Sequence, residues 1–132
     1  MKMLLRTKFP NGFFGDPALY IRELNADHAL LFDSGDLTKF STKQLLKVTH
    51  VFLSHCHIDH FIGFDLFLRV HVGSEKRTTI FGPIDTAKRV EGKLQSYTWN
   101  LISDQDMSFE VVDLDPRRGK KTITLFHAKD RF

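Results

Sequence analysis

Short apolar runs separated by turn residues make up the first part of the chain. Runs from Met3 to Phe9, Ala18 to Leu24 and His28 to Phe32 mix apolar and polar positions, and the segments between them are rich in Pro, Gly, Asn and Asp. Such runs are typical of strands, and these bounding residues favour tight turns. The pattern therefore predicts a β meander over residues 1–35.

Helices and strands alternate in the middle of the chain. Ser41 followed by Gln44 is a capping-box pattern, which predicts a short helix leading into the apolar, strand-like run Val51–Leu53. The periodicity that follows predicts, in order, a helix over residues 61–70, a strand over 78–81 and a helix over 84–94. This β-α-β-α order predicts an α/β fold.

The predicted helix over residues 61–70 is apolar nearly all round. A helix without a polar face is normally buried, so we expect it in the core. Its two charged residues, Asp65 and Arg69, are four positions apart and are predicted to pair on one face of the helix.

The pattern loosens after Ser96 and ends in a predicted hairpin of residues 108–114 and 122–126. The connecting segment contains Arg117, Arg118, Lys120 and Lys121, so its tip is strongly basic. Two interpretations stay open for this tip: an ordinary solvated turn, or a contact with a nucleic-acid backbone.

Composition limits the class of protein. The chain has 132 residues, 42% of them hydrophobic, which suits one domain with a sizeable core. A single cysteine excludes an intrachain disulfide framework, and the sequence contains neither a signal peptide nor an apolar run of membrane-spanning length. We therefore expect a cytoplasmic protein without membrane contact. The formal net charge of +3 permits an anionic substrate without indicating one.

The candidate chemistry lies directly after the run Val51–Leu53. His55 and His57 are two positions apart, so in an extended segment both imidazoles leave the same side and can bind one metal ion. Asp59 and His60 follow where the chain turns into the next helix, and they are predicted to hold a second metal nearby. Two metals about 3.5–4 Å apart favour hydrolysis, because together they stabilise the attacking and leaving oxygens.

Two neighbouring residues are not predicted to be ligands. Cys56 lies between the two histidines and is expected to point away from their metal, as a small buried filler and not a thiolate ligand. His50 stands at the other end of the strand and is predicted to be a surface or edge residue.

The sequence His-x-His-x-Asp-His resembles the metal motif of the metallo-β-lactamase superfamily. The resemblance implies an αβ/βα sandwich, a zinc cofactor of two ions, and hydrolysis by a metal-bridging hydroxide that Asp59 helps to orient. It also implies that Asp33, at the end of the strand His28 to Phe32, braces the metal loop; an ordinary Asx turn is the alternative.

Two further features resemble the ribonuclease Z branch of this superfamily. His60 is followed by two apolar residues and Gly63, and a strand ends in Phe81-Gly82-Pro83. The resemblance implies a zinc-dependent phosphodiesterase that cuts RNA, with tRNA 3′-end processing as the reaction and a tRNA precursor as partner. A hydrolase of a small ester, lactone or cyclic nucleotide and a non-catalytic half-domain stay open as alternatives.

The family completes its two metal sites with ligands further along the chain. In this sequence only His127 is a candidate, and its strand-like surroundings predict a structural or surface histidine instead. We therefore expect residues 1–132 to be the N-terminal part of a single, incomplete domain, roughly the first half of the sandwich. We expect one face of its sheet to be uncovered, so that the chain associates; a homodimer is one form this could take.

Overall fold

The computed structural model describes residues 4–132, which contain a seven-stranded sheet and four α-helices. The strands are β1 (Leu5–Lys8), β2 (Leu19–Glu23), β3 (Ala29–Phe32), β4 (Val48–Phe52), β5 (Arg77–Pro83), β6 (Ser108–Asp115) and β7 (Lys120–His127). The helices are α1 (Thr42–Leu45), α2 (Ile58–Phe61), α3 (Phe64–His71) and α4 (Thr86–Gln95), followed by a 3-10 turn at Ala128–Asp130.

Strand order in the sheet follows strand order in the sequence. β1, β2 and β3 form an antiparallel meander, β3 to β6 are parallel to one another, and β6 pairs with β7 as an antiparallel hairpin. The predicted meander, the α/β middle and the final hairpin are thereby confirmed. The predicted first strand included Met3, which lies outside the described residues.

The core lies between the helices and one face of the sheet. Leu31, Val51 and Ile80 are direct neighbours on three adjacent strands, and all are buried on this face. The helices contribute Phe64 and Leu94 to the same cluster of buried residues. Burial of this apolar surface is the main stabilising term for the fold.

The helix predicted over residues 61–70 is two helices in the structure, α2 and α3, with a break at Ile62 and Gly63. Gly63 lies against the backbone of Ser34 and Gly35, and a β-carbon at position 63 would collide with the Gly35 carbonyl oxygen. Its N–H donates to the Ser34 carbonyl at 2.8 Å. This close approach places α2 beside the end of β3.

Only part of the surface of α3 is buried, and its predicted ion pair is wrong. Phe64, Phe67 and Leu68 are buried, whereas Arg69 is exposed. Asp65 pairs with Lys93 of α4 and not with Arg69. Lys93 lies on the neighbouring helix α4, and its contact with Asp65 takes the place of the weak pair predicted within α3 from the four-residue spacing.

Helix α4 begins two residues later than predicted. Ile84 lies in the turn before it and is exposed, and Asp85 has a left-handed backbone conformation with φ of 72°. The side chain of Asp85 makes no capping hydrogen bond. Asp113 of β6 stabilises the first turn of α4, because its Oδ1 accepts the Ala87 N–H at 2.9 Å. No helix among residues 4–132 has the length and apolar character needed to cross a membrane.

Candidate metal centre

The histidine-rich segment forms a loop between β4 and α2. Leu53 continues the line of β4 by donating its N–H to the Phe81 carbonyl at 2.7 Å, and His57 is the N-cap of α2 with φ of −66° and ψ of 156°. Because β3, β4 and β5 are parallel, their carboxyl ends meet at one edge of the sheet. Loops at this edge are the usual location of functional residues in α/β folds.

Three of the four predicted ligands form one group. Ligand atoms of His55, His57 and Asp59 all lie within 4.8 Å of one another, and the two imidazole rings are 4.4 Å apart. Asp59 and His57 are exposed, so the group is open to solvent. Two imidazoles and one carboxylate suit zinc, which accepts nitrogen and oxygen ligands and needs an open position for catalysis.

His60 lies beside this group. Its ring is 4.0 Å from the ring of His55, and its Nε2 is 3.4 Å from Asp59 Oδ2. The sequence assigned Asp59 to a second metal together with His60, whereas the structure groups Asp59 with His55 and His57. Asp59 lies close to the pair His55 and His57 and also to His60. The division of the four residues between two metals therefore stays a prediction.

Asp33 connects the end of β3 to the histidine loop. Its Oδ1 accepts the Ser54 N–H at 2.8 Å, and its Oδ2 lies 3.0 Å from His60 Nδ1. The residue has φ of 56°, a left-handed conformation that Asp tolerates better than most residues. The Asp33 carboxylate thus accepts from the histidine loop and not from the backbone that follows it, and its role in bracing the loop stays a prediction.

Ser54 is a functional candidate that the sequence prediction missed. Its hydroxyl lies 2.9 Å and 3.0 Å from the two oxygens of Asp33, 3.0 Å from His55 Nδ1 and 3.1 Å from His60 Nδ1. The position of Ser54, between a strand and the metal motif, could have marked it as a candidate. Its partner Asp33, however, is 21 residues away in the sequence. Only the fold brings the two together.

These contacts indicate which imidazole nitrogens carry protons. An ionised Asp33 only accepts hydrogen bonds, so His60 Nδ1–H donates to it, and His55 Nδ1–H can donate to the Ser54 hydroxyl. In that tautomer the Nε2 atom of each histidine keeps its lone pair. A hydrogen bond at the opposite ring nitrogen is the usual way in which proteins orient a metal-binding imidazole.

Cys56 stands apart from the ligand group, as predicted. It is half-buried and packs against the core, and burial raises the pKa of its thiol. A protonated thiol is a poor metal ligand. A groove of about 370 Å³ runs beside it, between the loop and the start of α4, and Arg89 is among the residues that line the groove.

Two further histidines, His127 and His50, lie away from the loop. His127 ends β7 and pairs with Ser108 at the start of β6, which is the opposite end of the sheet from the loop. Its position fits the predicted structural or surface role. His50 was predicted to be a surface or edge residue, but β4 is not an edge strand of the sheet. The residue is half-buried on β4, and its ring lies nearly parallel to that of Phe81 at 6.3 Å.

Comparison with known proteins agrees with this geometry. The family model for the metallo-beta-lactamase superfamily matches residues 12–77, the segment that contains Asp33 and the histidine loop. The chain belongs to the metallo-β-lactamase superfamily, and this membership supports a metal-dependent hydrolase at the level of the family.

Its relatives narrow the assignment to the ribonuclease Z-like branch. The chain is 36% identical over 100 residues to ribonuclease Z of Methanococcus maripaludis, covering 71% of this chain and 31% of the relative. It is 30% identical over 89 residues to ribonuclease Z of Deinococcus radiodurans, covering 65% of this chain and 27% of the relative. The chain thus spans about 30% of the length of these curated relatives.

A solved structure supports the fold. The short form of human tRNase Z superposes with a TM-score of 0.58 over 88% of this chain and 49% of the human chain, at 22% sequence identity. The predicted fold class, part of a metallo-β-lactamase sandwich, is confirmed.

Proposed function

We propose that this chain carries the first metal-binding half of a zinc-dependent phosphodiesterase that cuts RNA, with tRNA 3′-end processing as its reaction and the cytoplasm as its location. The group formed by His55, His57 and Asp59 within 4.8 Å is the observation that carries the proposal. A structural role alone would not require three ligand-bearing side chains to converge at a solvent-exposed loop.

The residues around the group have separate roles in this proposal. His55, His57 and Asp59 hold zinc, and His60 contributes its free Nε2 beside them. When bound, zinc would supply a Lewis acid that polarises the phosphodiester and lowers the pKa of an attacking water. Asp59 would also orient that water, since its carboxylate lies within 4.8 Å of the ligand atoms of His55 and His57 and 3.4 Å from His60 Nε2.

Asp33 and Ser54 act on the histidines and do not touch the substrate. The Asp33 carboxylate fixes the ring of His60, and the Ser54 hydroxyl connects that carboxylate to His55. Holding both rings in place before the metal arrives lowers the entropy cost of binding. The network therefore supports a preorganised site.

RNA is the favoured substrate because the relatives above are ribonucleases. The name of the human structure, tRNase Z, suggests tRNA within that class. A small ester, lactone or cyclic nucleotide is the competing substrate, and the comparisons give it no specific support.

Zinc binding by the 132-residue chain tests the proposal, with competition against a chromophoric chelator as the measurement. His55→Ala should weaken zinc binding at least tenfold, and Asp33→Asn by about 10–100-fold, because it loosens the histidine rings without removing a ligand. His28→Ala is the matched control, since His28 is an exposed histidine outside the loop. Equal zinc affinity in all variants would contradict the site.

Metal content and turnover complete the test. We expect the chain to hold fewer than two zinc ions and to cleave bis-p-nitrophenyl phosphate slowly, because the described residues supply one three-residue ligand group. Two tightly held zinc ions per chain together with rapid turnover would show that the site is complete within these residues and that the half-site interpretation is wrong.

A further inference from the structure

The β6–β7 turn lies at the same edge of the sheet as the histidine loop. β4, β5 and β6 are parallel, Pro83 of β5 pairs with Leu114 of β6, and Asp115 pairs with Lys120 across the hairpin. Neighbouring strands are about 4.8 Å apart, so β6 lies roughly 10 Å from β4 across the sheet, and it continues from Val112, which is level with the end of β4, to Asp115. The turn is outside the segment that the family model matches.

Local hydrogen bonds shape the turn, which presents a cluster of positive charge. The Asp115 Oδ1 accepts the backbone N–H groups of Arg117 and Arg118 at 3.1 Å and 3.2 Å, and Gly119 supplies the left-handed conformation, with φ of 60°. The side chain of Arg118 is 78% exposed, and its contact with Asp115 is long at 3.7 Å.

The basic side chains of this turn are largely available to a partner. Arg117, Lys120 and Lys121 are exposed, and within the described part of the chain none of them forms an ion pair. The four cations at positions 117, 118, 120 and 121 are adjacent to one carboxylate, that of Asp115, so the turn has an excess of positive charge.

Two neighbouring depressions lie between this turn and the metal loop. One, of about 240 Å³, runs from Ser54 past Pro83 to Leu114 and Pro116. A second, of about 570 Å³, also includes Leu114 and Pro116 and continues to Lys120 and Lys121. Leu114 and Pro116 line both depressions, so the two are neighbours on the surface, and Ser54 in the first contacts Asp33 and His55.

We infer that the basic turn is a docking surface for the phosphate backbone of an RNA strand whose neighbouring segment lies at the histidine loop. The inference rests on the proposed RNA substrate and adds the residues that would position it. Lysine and arginine bind phosphates through charge and counterion release, so these contacts supply affinity without sequence preference.

A solvated turn without a partner would account for the charge alone. It does not account for the location of the charge at the edge of the sheet that carries the histidine loop. A basic groove at the opposite end of the sheet provides the comparison: it is lined by Lys43, Lys47 and Lys76, with a volume of about 660 Å³. There Lys47 pairs with Asp27, and Lys76 donates to the Leu46 carbonyl.

The test is RNA binding by the 132-residue chain, measured by fluorescence anisotropy of a labelled tRNA precursor at several salt concentrations in the presence of a metal chelator. The variant Arg117→Gln/Arg118→Gln/Lys120→Gln/Lys121→Gln should bind at least tenfold more weakly at low salt. The slope of log affinity against log salt should become shallower by about 0.7 for each phosphate that the variant no longer neutralises.

The control is Lys43→Gln/Lys76→Gln at the opposite groove, which should bind RNA within about twofold of the unaltered chain. Circular dichroism should show that all chains are folded, because the substituted side chains lie on the surface. Absence of RNA binding by the unaltered chain, or an equal loss in both variants, would overturn the inference. Since the chelator removes any metal, failure of the zinc site would leave this readout unaffected, and the two proposals are tested separately.

Discussion

Val51 and Phe52 are neighbours on β4 and lie on opposite faces of the sheet. Val51 is 2% exposed beneath the helices, in line with Leu31 and Ile80. Phe52 lies on the other face, which no helix among the described residues covers, between Phe32 and Phe81. The three rings stack at 4.8 Å and 5.1 Å, so the open face has an ordered aromatic row.

At the carboxyl ends of the central strands both faces of the sheet are apolar, although helices cover only one; on the open face the preceding row, His50, Thr79 and Glu110, is polar. The apolar part of the open face continues from the aromatic row to Val112, which is only 4% exposed, and to Ile123, which is 53% exposed. A sheet with water on one side normally alternates apolar and polar residues, whereas a sheet covered on both sides has continuous apolar runs. The run Val51-Phe52-Leu53 therefore belongs to a sheet suited to a cover on each face, as in a sandwich.

The largest expected difference between the faces is in stability. Phe64 is 1% exposed and its ring contacts those of Phe61, Phe67 and Phe109. Phe64→Ala should lower the free energy of unfolding by about 3–5 kcal/mol, because it leaves a cavity in the packed layer. Phe81→Ala on the open face should cost about 1 kcal/mol, since water already reaches that ring.

Urea denaturation followed by circular dichroism measures both values. Low protein concentration is needed so that association does not contribute to the result. A loss for Phe81→Ala as large as that for Phe64→Ala would mean that the open face is packed in solution, and the contrast between the faces would fail.

A smaller effect is expected from pH, through the buried histidine of the packed layer. His71 is fully buried, its Nδ1 lies 2.8 Å from the Phe67 carbonyl, and its Nε2 has no partner among the described residues. Burial lowers the pKa of His71 below its usual value of 6.5, and the charge of Lys76 lowers it further. As pH falls below 6.5, the unfolded chain binds a proton before the folded chain does, so stability decreases.

The slope for this proton is at most about 1.4 kcal/mol per pH unit. We therefore expect the free energy of unfolding of the metal-free chain to fall between pH 7 and pH 5, and His71→Leu to reduce that dependence. His28→Leu, at an exposed histidine, should keep it. Identical pH profiles for the unaltered chain and His71→Leu would assign the dependence to other groups.

The sequence predicted the elements whose signals are local. The meander, the hairpin and the capping box at Ser41 depend on neighbouring residues, and the capping box is present, with the Gln44 N–H donating to Ser41 Oγ at 3.2 Å. The metal motif was found because its residues are concentrated in one loop. Three of its four residues converge in the structure.

The features that the sequence did not predict depend on contacts between distant residues. The break before α3 arises because Gly63 meets the backbone of Gly35, and Asp65 finds its partner on α4. Ser54 matters only because Asp33 lies next to it in space. Periodicity cannot indicate such contacts, because each is set by the packing of whole elements.

The smallest expected effect on stability comes from a charge placed on the open face. Ile123 lies on that face of β7, and Thr122 is an exposed neighbour that lies on the opposite face of the same strand. Ile123→Lys should change the free energy of unfolding by less than about 0.5 kcal/mol, because the side chain is already largely in water. Its effect on association should be much larger, since a lysine interrupts the apolar surface that two copies would share.

Light scattering after size-exclusion chromatography measures this association, together with fluorescence of a dye that binds apolar surface. The unaltered chain should form dimers or larger species and bind the dye, whereas Ile123→Lys should shift toward monomer and bind less. Thr122→Lys adds the same charge to the opposite face of the strand and should leave both signals unchanged. A monomeric unaltered chain that binds no dye would contradict this prediction. It would show that the aromatic row and its neighbours are too small or too well hydrated to require a cover, so that the two faces differ only in how tightly their side chains pack.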